Sequence, residues 1–89
     1  MLTPVYTRQF DRDVKRMKRR GKNVDKLKII IHSLLAGEEL DPIHRDHKLT
    51  GTWQERRECH IESNWLLIYK VEVERIVFER TGTHSDLFQ

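Results

Sequence analysis

The chain of 89 residues has one cysteine, two prolines, four glycines and no long apolar run. Because Cys59 is alone, neither an internal disulfide nor a cysteine-rich zinc site is expected. The longest apolar run, residues 65–69, is far too short to span a bilayer. Pro4 and the charges from Arg8 onward interrupt any apolar N-terminal run, which predicts no signal peptide, no membrane association and a cytoplasmic location.

The length and composition predict a single folded domain over residues 1–89. Hydrophobic residues make up 37% and charged residues 35% of the chain. A chain of this size buries only about 60–65% of the surface that its unfolded form exposes, so its core is small. The apolar residues are clustered and periodic, which favours a folded chain whose stability is helped by a partner.

The net charge of +3 conceals a strong asymmetry. Residues 1–32 carry ten Lys/Arg and three Asp/Glu, a net charge of +7, whereas residues 33–89 carry seven and eleven, a net charge of −4. A basic block of this kind indicates contact with a polyanion or an acidic partner, and its alternative interpretation is a solvated helix face.

The first third of the sequence predicts a short strand and two helices. Residues 2–6 form the strand candidate, and Thr7 can cap the following helix. An apolar stripe at helical spacing runs through Phe10, Val14 and Met17. After Gly21, the second helix starts at Asn23 and has a wider apolar face. Two helices with so short a connection predict an antiparallel hairpin.

The last half of the sequence predicts strands. From Trp53 the pattern alternates, with Cys59 and Ile61 facing the core and His60 facing outward. Residues 65–71 and 75–80 form two further strand-like runs, separated by about four polar residues. The predicted class is α+β: an N-terminal strand and a helical hairpin packed on a mainly antiparallel sheet of about four strands, in the order β-α-α-β-β-β. The second sheet face is expected to stay open to ligands.

An antiparallel hairpin places the start of its first strand beside the end of its second. It therefore brings His60, Asn64 and an exposed Trp65 near Arg80 and His84. Cleavage of RNA by 2′-hydroxyl attack needs a base, an acid and a cation for the phosphorane charge. Histidine suits both proton transfers, because its pKa of about 6.5 allows either form near neutral pH. These residue types at one sheet end therefore indicate phosphodiester cleavage.

Four segments of the chain also resemble a known family. They are Asp46-His47-Lys48-Leu49-Thr50-Gly51, Arg57-Glu58-Cys59-His60, residues 64–69, and residues 78–88 with the sequence FERTGTHSDLF. The chain is similar to the YafQ branch of the RelE/ParE superfamily, which comprises toxins of type II toxin–antitoxin modules. The resemblance covers nearly the whole chain and implies a RelE-like fold and a metal-independent endoribonuclease that cleaves translated mRNA without a cofactor.

The resemblance also implies the site residues. The catalytic set is His47, His60, Arg80 and His84, with His60 or His47 as base, His84 as acid and Arg80 as phosphorane clamp. The substrate-binding set is Lys48, Asn64, Trp65 and Phe88, the two aromatics stacking or positioning a base. The chain departs from the family at Asn64, where an aspartate is usual, and an amide cannot transfer a proton at neutral pH.

Three kinds of partner follow from the resemblance: a cognate antitoxin, mRNA on the ribosome, and operator DNA bound only as a complex with the antitoxin. Phosphate contacts of this kind are salt-dependent and largely independent of sequence. The residues expected to contact RNA, the ribosome or the antitoxin are basic side chains of the first helix: Arg8, Arg12, Lys15, Arg16, Arg19 and Arg20.

Other interpretations of the same residues stay open at this point. The chain is alternatively a ParE-like toxin that binds a protein target such as gyrase, or a small basic nucleic-acid-binding protein without catalysis. His47, His60 and His84 are conceivable zinc ligands, although their spacing does not support a zinc site. His60 is alternatively a solvent-facing strand residue, and Trp65 a core residue.

Overall fold

The computed structural model describes residues 1–88 and has the predicted α+β architecture. Its elements are β1 (Thr3–Tyr6), α1 (Arg8–Arg19), α2 (Val24–Leu35), β2 (His47–Lys48), β3 (Arg57–Glu62), β4 (Trp65–Val71), β5 (Arg75–Gly82) and α3 (His84–Leu87). Short 3-10 turns lie at Pro42–His44 and Gly51–Trp53. The predicted order is confirmed, with the two-residue β2 and the four-residue α3 as additional elements.

The sheet has five strands in the order β1-β5-β4-β3-β2. The pairs formed by β2, β3, β4 and β5 are antiparallel, and β1 lies parallel to β5 at one edge. The sheet is therefore mainly antiparallel, as predicted, with one strand more than expected. The expected hairpin is present, because β4 and β5 are neighbours joined by a short turn.

Local side-chain caps define both long helices. The Thr7 hydroxyl accepts a hydrogen bond of 2.9 Å from the Phe10 backbone N–H at the start of α1. The Asn23 side chain accepts one of 3.0 Å from the Asp25 N–H at the start of α2. Between the helices Gly21 has a φ of +86°, a left-handed conformation in which a side chain would be strained. Both predicted caps and the helical hairpin are confirmed.

The main core lies between the helical hairpin and one face of the sheet. It contains the α1 residues Phe10 and Met17, the apolar face of α2, and strand residues from β3, β4 and β5. Cys59 and Ile61 face this core, as the alternating pattern predicted. Burial raises the pKa of the Cys59 thiol, which suits a small core residue rather than a nucleophile.

The second face of the sheet is less open than the sequence suggested. Leu66 and Ile68 of β4 form a smaller cluster there with Leu87 of α3, and Leu49 and Trp53 pack against it. The expectation of an uncovered ligand face is therefore wrong for its centre. Short chain segments cover the centre, and the candidate catalytic groups lie around this cover.

The edge of β5 past Phe78 is completed by α1 rather than by a strand. The last residue pair between β1 and β5 is Tyr6 with Phe78. Beyond it, the Thr7 hydroxyl donates to the Glu79 carbonyl at 2.9 Å, and the Thr81 N–H donates to the Asp13 carboxylate at 3.1 Å. Within residues 1–88, no helix has the length and apolar character needed to cross a membrane.

Candidate active site

Strand register brings two histidines together at one end of the sheet. His60 of β3 pairs with Leu66 of β4, and Leu66 pairs with Gly82 at the end of β5. Gly82 is followed by Thr83 and by His84, the first residue of α3. The ring centroids of His60 and His84 are 6.1 Å apart. The predicted proximity of these two imidazoles is present in the structure.

His60 is held in one orientation by its own turn. Its Nδ1 lies 3.2 Å from the carbonyl oxygen of Ser63, which can only accept a hydrogen bond. Nδ1 therefore carries the proton in the neutral ring, and Nε2 keeps its lone pair. The prediction that His60 points away from the helices is correct, but the expectation of an exposed ring is wrong. The residue is only 9% exposed, because Leu66 and the segment around His44 pack beside it.

His84 is exposed and is anchored through Asn64. The Asn64 side-chain oxygen accepts a hydrogen bond of 3.1 Å from the His84 backbone N–H, and it lies 3.4 Å from Nδ1 of the same residue. An amide oxygen is an acceptor, so Nδ1 is again the protonated nitrogen of the neutral ring. The Phe88 ring packs beside His84, with centroids 5.8 Å apart, and is 42% exposed.

Arg80 is bound by a buried carboxylate. Its Nε donates to Asp13 at 2.7 Å and its Nη2 donates at 3.3 Å. Asp13 is completely buried and also accepts hydrogen bonds from Arg16 and from the Thr81 N–H. Arg80 Nη1 is not engaged by Asp13, so one edge of the guanidinium remains to meet an anion.

His47 lies in a different setting from His60. It pairs with Glu58 across β2 and β3. Its Nδ1 lies 2.6 Å from the carbonyl oxygen of Arg45, and its Nε2 lies 3.1 Å from the Glu58 carboxylate. Both ring nitrogens of His47 therefore face acceptor oxygens. The neighbouring Lys48 is exposed.

Trp65 is not a substrate-stacking residue. Its side chain is 0% exposed and belongs to the main core under the helices. The indole Nε1 donates to the Thr81 hydroxyl at 2.9 Å, and that hydroxyl donates to the Leu66 carbonyl at 2.7 Å. The prediction of an exposed indole at the site is therefore wrong. Strand alternation turns Trp65 to the face opposite Leu66, where no RNA base can reach it.

The structure divides the six basic residues expected to contact RNA, the ribosome or the antitoxin into two groups. Arg8, Arg12, Lys15 and Arg19 are exposed, and none of them forms an ion pair within residues 1–88. Arg16 instead forms an ion pair with Asp13 and a longer one with Asp86. Arg20 forms an ion pair with Asp86. The first group remains available to a polyanion, whereas Arg16 and Arg20 are engaged in ion pairs with carboxylates of this chain.

Three acidic residues at the site were not predicted from the sequence to be site residues: Asp13, Glu58 and Asp86. Asp13 occupies the apolar stripe of α1 between Phe10 and Met17, and a carboxylate on such a stripe is an unusual signal. Glu58 shares its strand face with His60, yet it is only 5% exposed. Asp86 had no sequence signal beyond its spacing from Thr83, which fits a capping box.

Residues 1–88 contain no group of three or more side chains that could ligate a metal ion. His47 is bound to Glu58 at the edge strand, whereas His60 and His84 face each other across the end of β3 and the start of α3. The site therefore offers imidazoles, a guanidinium and an exposed phenyl ring.

Comparison with known proteins gives the family of this chain. The family described as "Bacterial toxin of type II toxin-antitoxin system, YafQ" matches residues 2–89. The chain belongs to the YafQ toxin family. The resemblance seen in the sequence motifs is thereby confirmed.

Individual toxins resemble this chain in sequence and in fold. The mRNA interferase toxin YafQ of Escherichia coli K12 is 40% identical over 84 residues, which cover 93% of this chain and 91% of that protein. The YafQ fold in the E. coli DinJ–YafQ complex matches with a TM-score of 0.93, 38% identity and complete coverage of both chains. A metal-bound toxin from Helicobacter pylori matches with a TM-score of 0.93 and 32% identity, covering 99% of this chain and all of that one.

Proposed function

We propose that this chain is the toxin of a type II toxin–antitoxin module and acts as an endoribonuclease on translated mRNA. Its relatives are named mRNA interferase toxins, and the likeness extends over most of both chains. The observation that carries the proposal is the pair of imidazoles His60 and His84, with ring centroids 6.1 Å apart. Two histidines at this separation can flank one scissile phosphodiester.

The positions of the ring protons support a different catalytic role for each of these two histidines. His60 Nε2 keeps its lone pair in the neutral ring and takes the proton of the attacking 2′-hydroxyl. His84, in its protonated form, donates its Nε2 proton to the departing 5′-oxygen. Both nitrogens of His47 face acceptor oxygens, so His60 is the better base of the two histidines first considered. Each such proton transfer contributes about 10²–10⁴ in rate.

Arg80 and the exposed residues near His84 supply the rest of the site. The free edge of the Arg80 guanidinium stabilises the developing phosphorane charge, while Asp13 fixes its direction. Phe88 offers an exposed ring on which a base can stack. Asn64 orients His84 through its backbone N–H and takes no part in proton transfer. Lys48 and His47 bind the RNA backbone beside this centre.

The partners follow from the same proposal. The complex of DinJ with YafQ from E. coli supports a cognate antitoxin for this chain. Translated mRNA on the ribosome is the substrate, and the exposed side chains of Arg8, Arg12, Lys15 and Arg19 bind its phosphates. Operator DNA is bound only together with the antitoxin. These events take place in the cytoplasm, and no cofactor takes part.

The decisive experiment is primer extension on a reporter mRNA in a translating extract. Wild-type protein is expected to produce discrete cuts that require translation. The His84→Gln variant is expected to lose at least about 10²-fold in cleavage rate, because the acid is removed. His32→Gln is the matched control, since His32 is an exposed histidine on the outer side of α2 and is expected to cut like wild type.

Two results would contradict the proposal. Intact mRNA with folded wild-type protein would indicate a toxin that binds a protein target such as gyrase, as ParE-like members do. Equal cleavage by wild type and His84→Gln would leave the RNase activity but remove His84 from the catalytic set.

A further inference from the structure

Helix α3 carries the proposed general acid but is too short to hold itself in place. It spans only His84–Leu87, and Phe88 follows it. An isolated segment of this length does not stay helical, because the loss of conformational entropy on nucleating a helix exceeds the stabilisation from the hydrogen bonds of a single turn. The position of the His84 ring therefore depends on contacts between α3 and the rest of the molecule.

Asp86 makes most of the polar contacts of α3. Its Oδ2 accepts hydrogen bonds from the Thr83 backbone N–H at 2.9 Å and from Arg20 Nη1 at 2.7 Å. Its Oδ1 accepts from Arg20 Nη2 at 3.1 Å, and Arg16 Nη1 lies 4.0 Å away. The side chain is 10% exposed. A bidentate pair with a guanidinium fixes both distance and plane, so Asp86 joins α3 to the last turn of α1.

The end of β5 leaves space for this carboxylate. A Cβ built on Gly82 would lie 2.9 Å from Asp86 Oδ2 and 3.0 Å from its Cβ. Only glycine therefore lets the Asp86 side chain approach the strand this closely. The pairing of Arg20 with Asp86 also holds the pKa of the Asp86 carboxyl well below its usual range.

We propose that Asp86 is a positioning residue for His84: by pairing with Arg20, it ties α3 to α1 and holds the His84 ring opposite His60. The proposal rests on the catalytic role given to His84 above. It assigns Arg20, whose side chain is 42% exposed, to an ion pair within the molecule instead of to a contact with RNA. Loss of the pair leaves His84 chemically intact but displaces it, and displacements of about 1 Å can cost on the order of 10² in rate.

The test is a kinetic comparison at the α1 side of the pair. Arg20→Met removes the guanidinium and leaves the capping box of Thr83 and Asp86 unchanged. Lys18→Met is the matched control, because it removes one positive charge from the same turn, where Lys18 is exposed and forms no ion pair within residues 1–88. With saturating ribosome-bound reporter mRNA, Arg20→Met is expected to lower kcat about tenfold or more, and Lys18→Met to keep the wild-type kcat.

A conservative variant separates position from charge. Arg20→Lys keeps the positive charge but replaces the bidentate pair by a single ammonium contact. It is expected to restore kcat only in part. If Arg20 served only to attract RNA, Arg20→Lys would behave like wild type, and Arg20→Met would raise KM while leaving kcat unchanged, which would overturn the proposal.

Nuclear magnetic resonance of the His84 ring gives a readout that does not depend on RNA cleavage. In Arg20→Met and Asp86→Asn the His84 side-chain signals are expected to shift and broaden, and the cross-peaks between the His60 and His84 rings to weaken. Unchanged signals in both variants would overturn the positioning role even if cleavage fell. If wild type did not cleave mRNA at all, the proposed function would fail, while the ring signals would still decide whether Asp86 positions His84.

Discussion

At the scale of single residues, the two aromatic side chains expected at the site have opposite environments. Trp65 is 0% exposed and hydrogen-bonded to Thr81, whereas Phe88 is 42% exposed and packs beside the rings of His84 and Trp53. The sequence offered the same kind of signal for both, an aromatic next to candidate catalytic groups. Burial separates a core residue from a substrate contact.

We therefore expect Trp65→Phe and Phe88→Ala to affect different measurements. Trp65→Phe leaves a cavity in the core and removes the hydrogen bond to Thr81, so the free energy of unfolding should fall by about 1–3 kcal/mol. Phe88→Ala removes an exposed stacking ring, so KM for reporter mRNA should rise roughly tenfold. Urea unfolding and cleavage kinetics on both variants check this. A Trp65→Phe protein with native stability and a raised KM would reverse the assignment.

At the scale of elements, much of the fold follows from the sequence because each element has a local signal. The caps at Thr7 and Asn23, the apolar stripes of the two helices and the alternation through β3 are short-range patterns. The order of elements and the β4–β5 hairpin were predicted for this reason. The parallel pairing of β1 with β5 has no such signal, since it joins residues more than 70 positions apart in sequence.

The site was predictable where strand register determines it and not where side chains reach between elements. His60 and His84 meet because the antiparallel register brings the two chain segments together. Asp13 and Asp86 reach partners from other elements, Arg80 and Arg20, and no local pattern encodes those pairs. The contact of α1 with the β5 edge is thus a tertiary feature that only the structure reveals.

Asp13 provides the test of this contact between elements. In Asp13→Ala the buried Thr81 N–H loses its acceptor, and the guanidinium groups of Arg80 and Arg16 lose theirs. The free energy of unfolding is expected to fall by about 2–4 kcal/mol. Asp11→Ala is the control, because Asp11 is exposed on the same helix, and it should change stability by no more than about 0.5 kcal/mol. Equal urea midpoints for the two variants would argue against a structural role for the Asp13 network.

At the scale of the whole molecule, ion pairs join the N-terminal helical hairpin to later parts of the chain at several places, one of which is the pair of Asp13 with Arg80. Glu62 at the end of β3 binds Lys22 and Lys26 at 2.7 and 2.8 Å. Asp86 binds Arg20 at 2.7 Å. The N-terminal basic block thus forms ion pairs within the molecule, besides any contact with RNA, because carboxylates of residues 33–89 neutralise part of its charge.

These pairs predict a stability that falls in acid. The pKa of Glu62 is lowered by its hydrogen bonds to Lys22 and Lys26, and that of Asp86 by its hydrogen bonds to Arg20. A carboxyl whose pKa is lower in the folded state stabilises the fold above its unfolded value of about 4, and the stabilisation disappears as the pH falls through the folded value. The urea midpoint should therefore decline progressively below about pH 5, and 1 M salt at pH 7 should also lower it by screening the exposed pairs.

The variant Glu62→Gln tests whether the decline comes from these pairs. It removes the negative charge that pairs with Lys22 and Lys26, so its urea midpoint should lie below that of wild type at pH 7. The two midpoints should converge at the acidic pH at which Glu62 of the wild type becomes protonated. Glu38→Gln, at an exposed position that forms no ion pair within residues 1–88, should follow wild type at every pH. If Glu62→Gln kept the full acid dependence of wild type and a constant offset from it, the acid sensitivity would have to come from other carboxyl groups. The Lys22–Glu62–Lys26 contact would then have no part in how the two layers respond to pH.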